Sequence, residues 1–196
     1  MSKGLLVTLV IIGVLVVFGF GFVMWGTGVY DSAIQAQEKV NADFADVQAT
    51  YQRRADLIPN LVATVKGAAE TETKILTEVT RARAGITSAT TPEDLDIAGR
   101  RINTAINLAF EAYPQIRSTE NFKDLQAQLE GTENRINVAR QRYNDSVREY
   151  NSYVRGYFKR MALNMFGGGE DFSPKTGFQA SAEAQDAPKV DFSQPK

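Results

Sequence analysis

The sequence predicts an all-α protein, in which a single N-terminal transmembrane helix continues into an antiparallel long-helix (three- to four-helix) bundle with coiled-coil-like heptad packing. Three observations carry this. From Gly4 to Tyr30 no charged residue occurs. After that run, long stretches repeat apolar residues at steps of three and four, the seam of an amphipathic helix. Strand-like alternation of useful length is absent before the C-terminal tail. The expected organisation is a cytoplasmic stub and signal-anchor helix over 1–30, a helical bundle domain over 31–166 and a Gly/Pro/Ala-rich tail over 167–196.

The first element is GLLVTLVIIGVLVVFGFGFVMWGTGVY. As a helix it spans about 40 Å at ~1.5 Å per residue, enough to cross a hydrocarbon core of roughly 30 Å. A cleaved signal peptide has a shorter apolar region, so an uncleaved anchor is expected from the length of this one. Trp25 and Tyr30 are placed for the headgroup layer. The scattered glycines include no strict GxxxG pair and give only a weak oligomerisation signal. Lys3 and the α-amino group flank one end, and Asp31, Glu38, Asp43 and Asp46 outweigh Lys39 at the other. Positive-inside logic then places the N-terminus in the cytoplasm and the main domain outside it, in a bacterial inner membrane.

A long amphipathic helix is expected from Asp31 to about Ile86, with Val40, Phe44, Val47, Tyr51, Ala55, Ile58, Val62, Val65, Ala69, Leu76 and Val79 on its seam. Within it lies YQRRADLIPNLV, where the register slips at Arg53–Asp56. Pro59 removes a backbone donor and crowds the carbonyl of Ala55, so a kink is expected there. Arg53 and Asp56 are spaced to pair on one face, Arg54 to reach an acidic or carbonyl partner on another helix, and Asn60 to bond carbonyls that the proline frees. Arg53, Arg54, Asp56 and Asn60 thus form either a structural polar network or a ligand site for an anionic headgroup or carboxylate.

Thr90 or Thr91 is expected to cap the next helix, with Pro92 at its first position and Leu95, Ile102, Ile106 and Phe110 on its seam. Tyr113-Pro114 interrupts it, as a kink or as a reversal. The last segment keeps one register through Phe122, Leu125, Leu129, Thr132, Ile136, Ala139, Tyr143, Ser146, Tyr150, Tyr153 and Tyr157. It contains a repeat, YNDSVRE then YNSYVRG, in which Tyr sits on the seam with Asn beside it and Val across from it. If the chain returns straight from Pro92, it comes level with Asp31 near residue 147, and YVRGYFKRMALNMF meets the membrane. Tyr157, Phe158, Lys159, Arg160 and Met161 then read as an interfacial helix or, equally, as continued bundle core.

The tail is compositionally a flexible segment, yet Phe172, Phe178 and Phe192 suit anchors. The chain is expected to form a homo-oligomer, with these phenylalanines seated in grooves between neighbouring bundles. GGGEDF at its start looks like a cyclic-dinucleotide synthase signature outside the α/β context that such chemistry needs, and is read as a chance match.

Composition excludes several classes. With 22 Lys+Arg, 23 Asp+Glu and no basic run with interleaved aromatics, there is no footprint for nucleic acid. No Cys or His occurs, which removes disulfides, thiol nucleophiles and Cys/His zinc sites. Lacking also GxSxG, a P-loop and a dense carboxylate cluster, the chain offers no catalytic, metal or cofactor-binding residues.

The N-terminal membrane helix, YQRRADLIPNLVATVKG, AYPQIRSTENFKDLQAQLEGTENRINVARQRYNDSVREYN and APKVDF together resemble the LemA family. The resemblance covers most of the chain, and the DLIPNLV and YPxIRxxxxFxxLQxxLxxxExxI spacings carry it. It implies a membrane-anchored helical bundle and supplies no biochemical activity. The GGGED after Asn164-Met165-Phe166 departs from the family pattern. Three functions are weighed: a self-associating scaffold that organises the envelope membrane, a lipid or small-ligand sensor acting through the Arg53/Arg54/Asp56/Asn60 bend, and an enzyme. The first is preferred, with membrane lipids and further copies of the chain as partners.

Overall fold

A computed structural model describes residues 3–64, 69–112, 120–166 and 171–179. Among them the chain is all-α. The helices are α1 (Lys3–Thr64), α2 (Ala69–Ser88), α3 (Pro92–Ala112), α4 (Glu120–Val154) and α5 (Tyr157–Met165), followed by a non-helical strap over 171–179.

Helix α1 carries both the apolar run and the first seam without interruption, and it passes through Pro59. The large apolar side chains from Leu5 to Trp25 are 41–74% exposed. One N-terminal helix is thus long and apolar enough to span a membrane. Further along, Val40, Val47, Tyr51, Ala55, Ile58 and Val62 are buried. The two consecutive four-residue steps at 47-51-55 are the expected register slip, and they carry Arg54 toward the seam.

The expected single helix from Asp31 to Ile86 is corrected. Helix α2 is separate and antiparallel to α1: Arg83 reaches Asp56 at 2.6 Å, while Gln48 donates to the carbonyls of Ile86 and Ala89 at 3.2 and 3.0 Å. Its own register buries Ile75, Val79, Ala82 and Ile86, and Leu76 is exposed. Val65 lies outside the described residues.

Thr91 caps α3 as expected. Asp94 N–H donates to Thr91 Oγ1 at 3.2 Å, and the Asp94 carboxylate accepts from the Thr91 N–H at 3.0 Å, a reciprocal capping box. Helix α3 then climbs beside α1, with Leu95, Ala98, Ile102, Ala105, Ile106 and Ala109 buried. At Gly99 the ring of Tyr51 comes so near that an added Cβ would stand 2.6 Å from it. The straight return from Pro92 is therefore overturned: α3 moves away from the apolar span, and α4 makes the descent. Direction reverses between α3 and α4, and Tyr113-Pro114 itself lies outside the described residues.

Helix α4 pairs with α1 along its length, Arg54 with Glu133, Phe44 with Tyr143 and Lys39 with Glu149. Leu129, Ile136, Tyr143, Ser146, Val147, Tyr150 and Val154 are buried. The register does not extend to Tyr157, because Arg155-Gly156 ends the helix and Tyr157 starts α5 at 78% exposure. The side chain of Phe122 is not among those described.

Helices α2 and α3 each cover only about 30 Å, so they flank α1 from Gln48 outward. Nearer the span α1 and α4 form a two-helix pair, and there the strap supplies the missing apolar cover.

Candidate functional site

The end of α4 returns to the foot of the span, where Tyr153 Oη donates to the Val29 carbonyl at 3.2 Å. Helix α5 folds against α1 there, burying Ala162 and Leu163. Phe166 packs on Phe22, ring centroids 6.1 Å apart, and occupies the space a side chain at position 26 would need, so Gly26 is required for the approach. The opposite face of α5 exposes Tyr157, Phe158, Met161 and Met165. Lys159 folds over the Tyr153 ring at 3.8 Å, and Arg160 points to solvent. Of the two sequence readings for this segment, continued bundle core does not describe the face that carries Tyr157 and Phe158.

The bend residues diverge. Arg54 pairs with Glu133 of α4, its side chain 14% exposed against 48% for the carboxylate, and its Nε is buried with no partner among the described residues. Burial pushes the Arg54 pKa down, and Tyr51 opposes that. Asp56 turns to Arg83 at 2.6 Å and accepts from Gln52 at 3.2 Å, so it does not pair with Arg53. Arg53 instead edges a shallow groove of about 330 Å³ between α1 and α4, beside Asp43, Asp46 and Arg135. Asn60 is exposed and bonds no freed carbonyl among the described residues.

A larger groove, of about 1050 Å³, opens between α1, α3, α4 and the strap. Arg54, Arg100 and Arg140 line it opposite Glu93, Asp96 and Glu133. Arg140 is committed, to Asp96 at 3.2 Å, to the Gln179 carbonyl at 3.4 Å and to the face of Phe178 at 4.6 Å. Among the described residues no group of three or more acidic side chains is placed to hold a metal ion.

The strap is held by the heptad repeat. Asn151 donates to the Lys175 carbonyl and accepts from the Lys175 N–H, both at 2.8 Å. Asn144 does the same to Phe178, at 3.0 and 2.7 Å. Tyr150 and Tyr143 donate to the carbonyls of Ser173 and Thr176 at 3.2 and 3.0 Å. Each copy of the repeat therefore supplies one hydroxyl donor and one two-point carboxamide clasp, which satisfies backbone groups that a non-helical segment must otherwise leave to water. Burial raises the pKa of Tyr143 and of Tyr150, which keeps both hydroxyls protonated as donors.

Phe172 and Phe178 are buried against their own bundle, Phe172 edge-on to Tyr30 at 5.4 Å and Phe178 edge-on to Tyr143 at 5.4 Å. The expectation that neighbouring copies seat them is corrected for these two, and Phe192 lies outside the described residues. No curated protein matches the chain. Residues 43–192 match the family model described as the LemA family.

Proposed function

The chain belongs to the LemA family, and from that premise we propose that it is a non-enzymatic, membrane-anchored helical scaffold that self-associates and organises or shapes the bacterial envelope membrane. The observation that carries this reading is the placement of α5. It lies at the foot of the span with Tyr157, Phe158, Met161 and Met165 turned outward. Each large apolar side chain moved from water into hydrocarbon contributes about 1.5–3 kcal/mol, so the helix favours the interface over solvent. A span with a short helix packed on one end of it, between the levels of Val29 and Phe22, inserts unequal volume into the two leaflets, which is how a protein bends or thickens a bilayer locally. Membrane lipids are its first partners, and further copies of the chain concentrate the effect. The N-terminus lies in the cytoplasm of the proposed topology, with the bundle outside the inner membrane.

Electron microscopy of full-length protein reconstituted in vesicles tests the reading. Ordered particles and altered vesicle curvature, both lost on changing Tyr157, Phe158 and Met161 together to Ser, are expected. Monodisperse single chains in undeformed vesicles overturn it. The alternative, a lipid or small-ligand sensor at the bend, loses support because Arg53, Arg54, Asp56 and Asn60 face different neighbours.

A further inference from the structure

Helix α5 descends along the end of the span. Its entry is fixed by Tyr153 at the Val29 carbonyl, and its exit by Phe166 on Phe22 and over Gly26. The levels of Val29 and Phe22 differ by about 10 Å along α1. From Tyr150 to Gly169 the chain carries Arg155, Lys159 and Arg160 and no acidic residue, although acids and bases nearly balance over the whole sequence. Arg155 and Arg160 are exposed, and neither side chain has an ion pair or hydrogen bond among the described residues. Lys159 lies over the Tyr153 ring. The carboxylates of this region do not cancel the charge. Glu149 is held by Lys39 at 2.6 Å, and Asp31 stands on the side of α1 opposite the line of Phe22, Gly26, Val29 and Ala33, at about 100° of turn per residue. Asp171, which opens the strap beside Phe172 on Tyr30, offsets one cation of the three.

We propose that α5 and the end of α4 bind phospholipids of net negative headgroup, with Arg155 and Arg160 at the headgroup and Tyr157, Phe158, Met161 and Met165 along the acyl chain. The order of residues down the helix carries this. Arg155 and Arg160 belong to the upper part of the descent, while Met161, Met165 and Phe166 follow below them toward the level of Phe22, which is the order of charge and hydrocarbon in a phospholipid. Arg160 stands at the edge of the exposed apolar face, three residues after Tyr157 and one before Met161, so its stem lies along that face and its head reaches back toward water. A guanidinium matches a phosphate in two-point geometry. In a zwitterionic lipid the headgroup's own cation already answers that phosphate, whereas an anionic headgroup leaves a charge for the protein to meet, so the free arginines select the anionic class. The inference rests on α5 touching the bilayer, as proposed above, and adds the class of lipid that it gathers.

Trp25 reports on this site without any label. It is the single tryptophan of the chain, it packs on Phe22 beside Phe166, and about 33 Å of helix separate it from Lys3 at the other end of the span. Full-length protein is reconstituted in vesicles of phosphatidylglycerol and phosphatidylcholine in equal parts, with one or the other lipid brominated on its acyl chains. Quenching of Trp25 then gives the lipid ratio at α5. Phosphatidylglycerol is expected to be enriched there about three- to tenfold over the bulk mixture, and Arg155→Gln with Arg160→Gln to bring the ratio close to that of the bulk. A fluorophore on Phe158→Cys, in the same vesicles, reports separately whether α5 is in the bilayer. Equal quenching by the two lipids with that fluorophore buried in lipid overturns the proposal and leaves the membrane role of α5 standing. Enrichment that survives the double substitution overturns it too, by assigning the preference to other residues. A Phe158 fluorophore in water sinks the membrane reading and the lipid preference together.

Discussion

Tyr153 and Val29 are joined by a hydroxyl-to-carbonyl hydrogen bond of 3.2 Å, which fixes the foot of α4 at the level where the apolar run of α1 ends. Helix α5, which follows at once, is thereby delivered to the proposed bilayer surface, and the strap then turns back along α4. The placement does not depend on the path by which the chain climbed away from it.

Depth is the first consequence to measure. A fluorophore on Phe158→Cys in reconstituted full-length protein is expected to emit blue-shifted and to be quenched by brominated lipids, whereas one on Arg53→Cys is not. In cells, Arg53→Cys should react with a membrane-impermeant thiol reagent from outside. Reaction only after lysis reverses the topology.

The Arg54–Glu133 pair should outweigh the Asp56–Arg83 pair. Glu133→Ala leaves a largely buried guanidinium without its carboxylate and is expected to cost about 1–3 kcal/mol in thermal unfolding. Asp56 is 52% exposed, so Asp56→Ala is expected to cost less than about 1 kcal/mol. Equal losses would contradict the assignment of partners.

Two glycines should respond with opposite signs. Gly99→Ala forces the Tyr51 ring aside and is expected to cost about 1–3 kcal/mol. Gly131 has open space around its Cα, so Gly131→Ala is expected to stabilise α4 by about 0.5–1 kcal/mol through helix propensity. Melting of the two variants in one detergent checks both.

Acid should loosen the α2–α3 corner. The Asp94 pKa is depressed, chiefly by the hydrogen bond from Thr91 Oγ1 and then by the N–H groups of Thr90 and Thr91. A carboxylate of depressed pKa contributes stability that is complete above its unfolded value, 3.8, and lost as pH falls through the folded one. Asp94→Asn is therefore expected to flatten the decline in melting temperature below that value. An unchanged acid limb would mean that the box does not couple to global unfolding.

Removing both carboxamide clasps should free the strap and spare the bundle. Asn144→Ala with Asn151→Ala deletes four hydrogen bonds, each worth about 0.5–1.5 kcal/mol net. Proteolysis between Ser173 and Gln179 is expected to accelerate while helicity is retained. Loss of helicity would make the strap an integral part of the α1–α4 core.

The seam of α1, its slip beside Arg54 and the Thr91 cap were legible because each follows from local spacing. The reversal after Thr64 was not. Val62, Val65, Ala69, Leu76 and Val79 keep nearly helical steps across Gly67, and spacing alone carries no information about direction. That is also why the spacing puts Leu76 inside, where the structure buries Ile75. Tyr157 failed for a related reason, since Arg155-Gly156 ends α4 without breaking the count of seven. The repeated Tyr-Asn pairs were visible as a seam with a polar neighbour. Their meaning needed the strap, because a carboxamide that reads backbone recognises no particular side chain in the sequence it holds. For the same reason Phe172 and Phe178 were recognisable as anchors and their sockets were not.

Helix α1 passes without a joint from the apolar run to the far end of the bundle. From Tyr30 to Thr64 it forms a stiff arm of about 50 Å at ~1.5 Å per residue. A tilt of the span by about ten degrees, within the range that bilayer thickness imposes on single helices, sweeps the far end sideways by about 9 Å. The paired helices turn with it as one piece. In the proposed anchored assembly, local bilayer thickness would thus set the lateral position of the distal tip, and crowding among neighbouring tips would act back on the tilt of the spans.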